Sequence, residues 1–183
     1  AGVWFFGWRA LAVMAVSVVS AVVWEALYEK IANKPITVCD LSAVVTGLLL
    51  AYNLPVGVPL WMPVIGSGLA IVLVKQIFGG IGQNFVNPAL AARAILMTSW
   101  VGRMSGSAYN LTVRGIDAVT SSTPLAADGS YTLLQLFLGQ CAGCIGEVSK
   151  LAILIGGVYL IARKIISAKI PVLMLLTMFV AMW

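Results

Sequence analysis

The chain has 183 residues, 61% of them hydrophobic and 9% charged, with a mean hydropathy of +1.04. An average soluble domain carries about 25% charged residues, so this chain has too few polar groups to cover a water-facing surface. A soluble globular domain and a disordered chain are both excluded. The composition reads as an all-α membrane protein, because a backbone in lipid must pair its own polar groups. At about 20 residues per span there is room for at most about six or seven spans.

Histidine is absent, which excludes histidine-ligated haem, His-containing zinc sites and Ser-His or Cys-His catalysis. Eleven bases against six acids give +5, read here as basic cytoplasmic loops rather than as a nucleic-acid surface. Three cysteines make no disulfide framework. The chain opens at Ala1 without a signal-peptide pattern and stops at Trp183 inside an apolar run. It reads as an interior stretch of a longer protein.

A first span is expected from about Phe5 to Tyr28, closed by Glu29, Lys30 and Lys34. After a polar connection from Ile31 to Asp40, a short apolar stretch runs from Leu41 to Tyr52 and stops at Asn53-Leu54-Pro55. At about 1.5 Å per residue it reaches about 18 Å, short of a hydrocarbon core of about 30 Å. It reads as a half-helix or re-entrant segment. A third segment spans about Trp61 to Phe78 and ends in Gly79-Gly80-Ile81-Gly82-Gln83-Asn84. A second short helix begins at Asn87-Pro88, with asparagine as N-cap and proline at the first helical position, and runs to about Trp100. Paired broken helices are a membrane protein's means of aiming backbone dipoles at a buried site.

Residues 101–130 form the long polar stretch. A weakly amphipathic piece, Tyr131 to Leu138, leads to Cys141-Ala142-Gly143-Cys144. A fifth helix is expected from about Gly146 to Ala162, and a sixth opens at Lys169-Ile170-Pro171. With alternating crossings, Lys30, Lys34, Lys75, Arg163, Lys164 and Lys169 fall on one side, assigned to the cytoplasm, and Arg9, Arg103, Arg114 and Lys150 lie at or near the other. Trp61 and Trp100 then share the outer interface, and the 101–130 loop faces outside.

That loop holds Asp117-Ala118-Val119-Thr120-Ser121-Ser122-Thr123-Pro124-Leu125. Chemically it is a hydroxyl-dense turn with one carboxylate, and Pro124 restricts Thr123 to extended geometry. It suits a solvated Asx/ST turn or an acceptor for a phosphoryl-transferring enzyme, and composition does not choose. Asp40 and Glu147 are taken as the acids nearest apolar segments, either complementing helix starts or lining an ion path. Lys75 and Arg93 fall in or beside apolar helices, as buried counter-charges or snorkelling stems. Cys141 and Cys144 form a CxxC, but a complete iron–sulfur cluster or metal site lacks ligands, and no catalytic or metal residue is assigned.

Asp117-x-x-Thr120-x-Ser122-Thr123 resembles the Asp-x-x-Ser/Thr-x-Ala-Thr motif of proteins that carry FMN in phosphoester linkage on the final threonine. Phe78-Gly79-Gly80-Ile81-Gly82-Gln83-Asn84-Phe85-Val86-Asn87-Pro88-Ala89-Leu90, with Arg93 following, resembles the signature of a membrane family. That family comprises the D subunit of the Rnf complex and the B subunit of the sodium-translocating NADH:quinone oxidoreductase. Val45-Thr46-Gly47-Leu48-Leu49-Leu50 and Gly143-Cys144-Ile145-Gly146-Glu147-Val148-Ser149 resemble further blocks, in the same order. Trp8-Arg9-Ala10-Leu11 and the compact connections are more similar to the Rnf branch. Ser121-Ser122 departs from the usual Gly-Ala before the threonine and touches transferase recognition.

The resemblance implies a polytopic, urea-transporter-like bundle of which residues 1–183 form one incomplete membrane domain, about spans two to six of about ten. It implies FMN on Thr123, with Asp117 read by an FMN transferase. Around the phosphate it offers the amides of Ser121, Ser122, Thr123, Pro124's neighbour Leu125 and the helix start near Gly146 and Glu147. It also implies a second, non-covalent riboflavin, for which Asn84 and Asn87 are the candidates; on the residues alone they are equally a tight inter-helix turn. The function implied is a flavin-carrying relay in a bacterial inner-membrane complex between ferredoxin and NAD, coupled to Na+ or H+. Its partners would be the other Rnf subunits and membrane lipid, not nucleic acid. The alternatives are the quinone-reductase branch, or a solute transporter or channel without redox function.

Overall fold

The computed structural model describes residues 2–104, 132–139 and 143–182, and these are helices joined by turns, with no strand among them. The helices are α1 (Gly2–Phe6), α2 (Trp8–Ile31), α3 (Ser42–Tyr52), α4 (Trp61–Gln76), α5 (Pro88–Ser99), α6 (Val101–Met104), α7 (Leu133–Leu138), α8 (Lys150–Ala162) and α9 (Lys169–Met182). Among the described residues, α2 is the one helix long and apolar enough to cross a membrane.

Gly7, at φ 68°, separates α1 from α2, a conformation costly for any residue with a Cβ. The first span therefore starts later than expected and runs further, to Ile31, so Glu29 joins Glu25 within the helix rather than closing it. Their position follows from period: Ala10, Val13, Ser17, Ala21, Glu25 and Glu29 are buried and recur every three or four residues along one face. Val19, Val23 and Leu27, on other faces, are exposed, as suits a helix apolar all round in lipid.

α3 is the expected short segment, and its inner face meets α2 at small residues. The Ser17 hydroxyl donates to the Gly47 carbonyl at 2.7 Å. A Cβ on Gly47 would stand 2.8 Å from the Ser17 carbonyl oxygen and 2.9 Å from the Val18 Cα, so glycine is what lets the two backbones touch. α4 joins the other side of α2, where the Ser20 and Ser67 hydroxyls are 2.6 Å apart and the Trp24 indole donates to the Val64 carbonyl at 3.1 Å. Small residues and hydroxyls at the crossings are how membrane helices associate without a hydrophobic drive. The second half of α4, Leu69–Gln76, is wound as π-helix, which the sequence did not announce.

Asn87 caps α5 as expected: its side-chain oxygen accepts from the amides of Ala89 and Leu90, and Pro88 stands at the start. Trp61 and Trp100, at one end of α4 and α5, meet edge to face at 5.3 Å. The fifth helix begins at Lys150 rather than near Gly146, because Ser149 supplies the cap to Ala152 and residues 145–148 are a turn. α8 and α9 bury no residue among those described.

Candidate functional site

Two ends of the bundle carry polar groups. The first is the end where α2 starts. Beyond α3 the chain is irregular yet buried: Leu54, Val56 and Val58 are at most 2% exposed. Non-helical carbonyls at such depth need donors. Arg9 donates from Nε to the Val56 carbonyl at 3.1 Å and from Nη2 to that of Val58 at 3.4 Å. The Gly146 amide donates to the Tyr52 carbonyl at 3.0 Å and the Ile145 amide to that of Leu54 at 3.2 Å. Arg93 reaches the same region, donating to the Asn53 side-chain oxygen at 3.1 Å. Gly146 is therefore a backbone clamp on the α3 terminus, not the first turn of a helix. Glu147 is exposed; its Oε1 accepts from the Cys144 amide at 2.8 Å and closes the turn before α8.

The opposite end holds the glycine turn. Gly79, Gly80 and Gly82 all have positive φ, the left-handed geometry that favours glycine. Asn84, with its amide oriented so that nitrogen donates, reaches the carbonyls of Gly80 at 3.2 Å and Val74 at 3.1 Å. Asn84 thus ties the turn to the π-wound half of α4, and Asn87 caps α5. Each asparagine has a structural bond in place. The structure does not bring Asn84 and Asn87 together with Gly146 and Glu147; the two pairs sit at opposite ends of the bundle. Asp117, Thr120, Ser121, Ser122, Thr123, Pro124, Leu125 and Cys141 lie outside the described residues.

Near the glycine turn, α2, α3 and α4 bury a charged cluster. Lys75 Nζ is 2.5 Å from Glu25 Oε1, with the two side chains 3% and 0% exposed. Gln76 Nε2 donates to the same Glu25 oxygen at 2.9 Å, and Lys75 also donates to the Ser42 hydroxyl. Ser42 in turn donates to Asp40 Oδ1 at 2.6 Å from its hydroxyl and 2.8 Å from its amide. Those two bonds, the hydroxyl's first, hold the exposed Asp40 carboxyl below its usual range. Glu29 accepts from the Thr37 amide at 3.0 Å and from the Thr37 hydroxyl. Lys75 is thus a buried counter-charge, whereas Asp40 sits just ahead of α3 and serves its start.

The comparisons with known proteins agree with the sequence blocks. All of residues 1–183 match the family model described as the NQR2, RnfD, RnfE family. The chain belongs to this family. Within it, the chain is 54% identical, over 94% of its length, to the D subunit of the Na(+)-translocating ferredoxin:NAD(+) oxidoreductase complex of Acetobacterium woodii. It is 43% identical over its full length to the D subunit of the proton-translocating ferredoxin:NAD(+) oxidoreductase complex of Clostridium ljungdahlii. To the D subunit of the ion-translocating oxidoreductase complex of Rhodobacter capsulatus it is 38% identical over 97% of its length. The chain covers 56%, 59% and 59% of these relatives, so it spans less than two thirds of their length.

For this NQR2/RnfD/RnfE family member, sequence reasoning missed Glu25, placing Asp40 and Glu147 nearest the apolar segments instead. The signal was present. Glu25 continues the Ala10–Ala21 stripe in period, and an ionisable residue there demands a partner inside the bundle. Among the described residues no cluster of His, Cys, Asp or Glu is arranged to hold a metal ion.

Proposed function

We propose that the chain is the flavin-bearing membrane portion of the D subunit of an ion-translocating ferredoxin:NAD oxidoreductase complex. The observation that carries this reading is the 54% identity over 94% of the chain to a protein of that name. The proposed setting is the bacterial inner membrane, with the 101–130 loop on the outer side and the remaining Rnf subunits as partners. The coupling ion is sodium or the proton, the two ions for which the relatives are named.

The proposed cofactor is FMN on Thr123. An FMN transferase would form the bond: the Thr123 hydroxyl oxygen attacks the FMN phosphorus of FAD, and AMP leaves with the cleaved pyrophosphate oxygen. The resulting phosphodiester carries one negative charge, which suits the backbone N–H groups of Ser121, Ser122, Thr123 and Leu125. When bound, the flavin supplies one- or two-electron transfer, and the protein positions it and sets its surroundings. Asp117, Thr120, Ser121 and Ser122 would be read by the transferase. A second, non-covalent riboflavin would call on Asn84 and Asn87. The hydrogen bonds these asparagines already make leave their remaining amide atoms for a ligand.

The test is covalent retention. The full-length protein, made together with its transferase, is expected to show flavin fluorescence after denaturing electrophoresis and to lose it in Thr123→Ala. Fluorescence persisting in that variant refutes the assignment. A purified protein with no flavin absorbance at all favours a transporter without redox function.

A further inference from the structure

Arg9, Ala12, Val16, Val19 and Val23 recur every three or four residues along α2, so they line one face of the helix. Below Arg9 that face opens into a groove of about 480 Å³, lined by Val16, Val19, Ser20, Val23, Trp24 and Val64. Its polar groups are spent. The Ser20 hydroxyl is engaged with the Val16 carbonyl and the Ser67 hydroxyl, each at 2.6 Å, and the Trp24 indole with the Val64 carbonyl. The groove therefore presents hydrocarbon. At its head the Arg9 side chain is exposed, yet its plane is fixed, because Nε and Nη2 donate to the carbonyls of Val56 and Val58. A guanidinium carries five N–H donors in one plane, so the edge with Nη1 remains for an anion. Among the described residues no carboxylate pairs with Arg9. Trp8, beside it, is 82% exposed, and exposed tryptophans mark the level of membrane headgroups.

We propose that Arg9 and the α2 groove form a binding site for one phospholipid, its phosphodiester on Arg9 and an acyl chain along Ala12 to Val23. The guanidinium edge matches phosphate oxygens with two parallel charge-assisted bonds. From Arg9 to Val23 is fourteen residues, about 21 Å at about 1.5 Å per residue. That is enough to carry an acyl chain through one leaflet, half of a hydrocarbon core of about 30 Å.

A protein helix suits this face less well. Where α2 meets α3 and α4 the contacts are made by Gly47, Ser17, Ser20 and Ser67, the small and hydroxyl-bearing residues through which helices associate in lipid. The groove face offers neither a glycine nor an unspent hydroxyl. A valine there gains little by exchanging one apolar neighbour for another, whereas an anionic head over a hydrocarbon slot is what an amphiphile supplies. The site rests on the chain lying in a membrane and not on the flavin.

The experiment is native mass spectrometry of the full-length protein in mild detergent, titrated with phosphatidylglycerol or with a diglyceride of the same acyl chains. One phosphatidylglycerol is expected to bind about tenfold more tightly than the diglyceride, the worth of its charge-assisted bonds. Arg9→Lys keeps a charge but not the planar fork, and is expected to erase most of that preference. Val19→Trp fills the groove. It is expected to weaken phosphatidylglycerol about tenfold while leaving the unfolding midpoint in lipid-free detergent unchanged. Equal binding of the two lipids, or a preference that survives Arg9→Lys, overturns the phosphate contact. Native-like binding in Val19→Trp overturns the groove, and a midpoint lowered by it shows a protein helix packed there instead of lipid. The flavin phosphodiester is the other source of this chemistry. Stronger lipid binding in Thr123→Ala shows that the flavin phosphate occupies Arg9 and overturns the site; unchanged binding supports it. Lipid binding needs no flavin, so failure of this site and failure of the Thr123 assignment are told apart.

Discussion

Replacing Gly47 with alanine sets two effects of opposite sign against each other. Gly47 lies mid-way along α3, where alanine is favoured over glycine by about 1 kcal/mol in helix propensity. On propensity alone the variant is more stable. The packing says otherwise. The added methyl would stand 2.8 Å from the Ser17 carbonyl oxygen, 2.9 Å from the Val18 Cα and 3.0 Å from the Ala21 Cβ. The first two are backbone atoms of α2 and cannot turn aside, so the helices must part by several tenths of an ångström. Overpacking of this kind costs about 1–3 kcal/mol. The 2.7 Å bond from Ser17 to the Gly47 carbonyl stretches with the separation, forfeiting about 0.5–1.5 kcal/mol. The net expectation is a loss of about 0.5–3.5 kcal/mol. Gly157→Ala in α8 is the control, because a Cβ there meets nothing within 4 Å, leaving only the propensity gain. The assay is detergent-titrated unfolding of the full-length protein in mixed micelles. If Gly47→Ala matches or exceeds the native stability alongside Gly157→Ala, the close approach of α2 and α3 is wrong.

Two further outcomes follow from the polar ends of the bundle. Arg9→Met removes the donors to the Val56 and Val58 carbonyls, and is expected to cost about 1–3 kcal/mol per orphaned carbonyl, read in the same unfolding assay; Arg9→Lys recovers part of it. Asp40 has its carboxyl held below the usual range by the Ser42 hydroxyl and then the Ser42 amide. A folded value below the unfolded one contributes stability that is present above the unfolded carboxylate range and is lost as pH falls through the folded value. Asp40→Asn removes that contribution, so it is expected to lower neutral stability slightly, the group being exposed, and to flatten the acid limb of a stability–pH profile by the same small amount.

What could be read in advance was local. Asn87-Pro88 specifies its own cap, and the run of apolar residues closed by Asn53 and Pro55 specifies a helix too short to cross, because both signals lie within one or two turns of chain. The start of α8 was misjudged by that same reasoning. Gly146 looks like a helix start only until its amide is found on the Tyr52 carbonyl, a residue far away in sequence. Glu25 was missed for the same kind of reason: its partner, Lys75, lies fifty positions on and reaches it from the π-wound end of α4. The segment beyond α3 is the hardest case. Asn53-Leu54-Pro55 announces a helix stop but not its depth, and the stretch is buried with Arg9, from the first turn of α2, satisfying its carbonyls.

The α2 stripe explains how one helix serves both ends. Ala10 and Val13 at its start are small and apolar, so the buried segment after α3 can pack against them while Arg9 pairs its carbonyls. Ser17 and Ser20, half-way along, bond to Gly47 and Ser67 and fix α3 and α4 at close range. Only with those two helices pinned can Glu25, two turns further on, meet Lys75 and Ser42 together. A looser crossing at Gly47 would move Ser42 relative to Glu25 and break the chain of bonds leading to Asp40. The stability of the α2–α3 contact and the geometry of the buried Glu25–Lys75 pair are therefore coupled: the loss of stability on Lys75→Met should be smaller in the Gly47→Ala background than in the native one. Losses that simply add in the double variant would show that the cluster does not depend on this crossing.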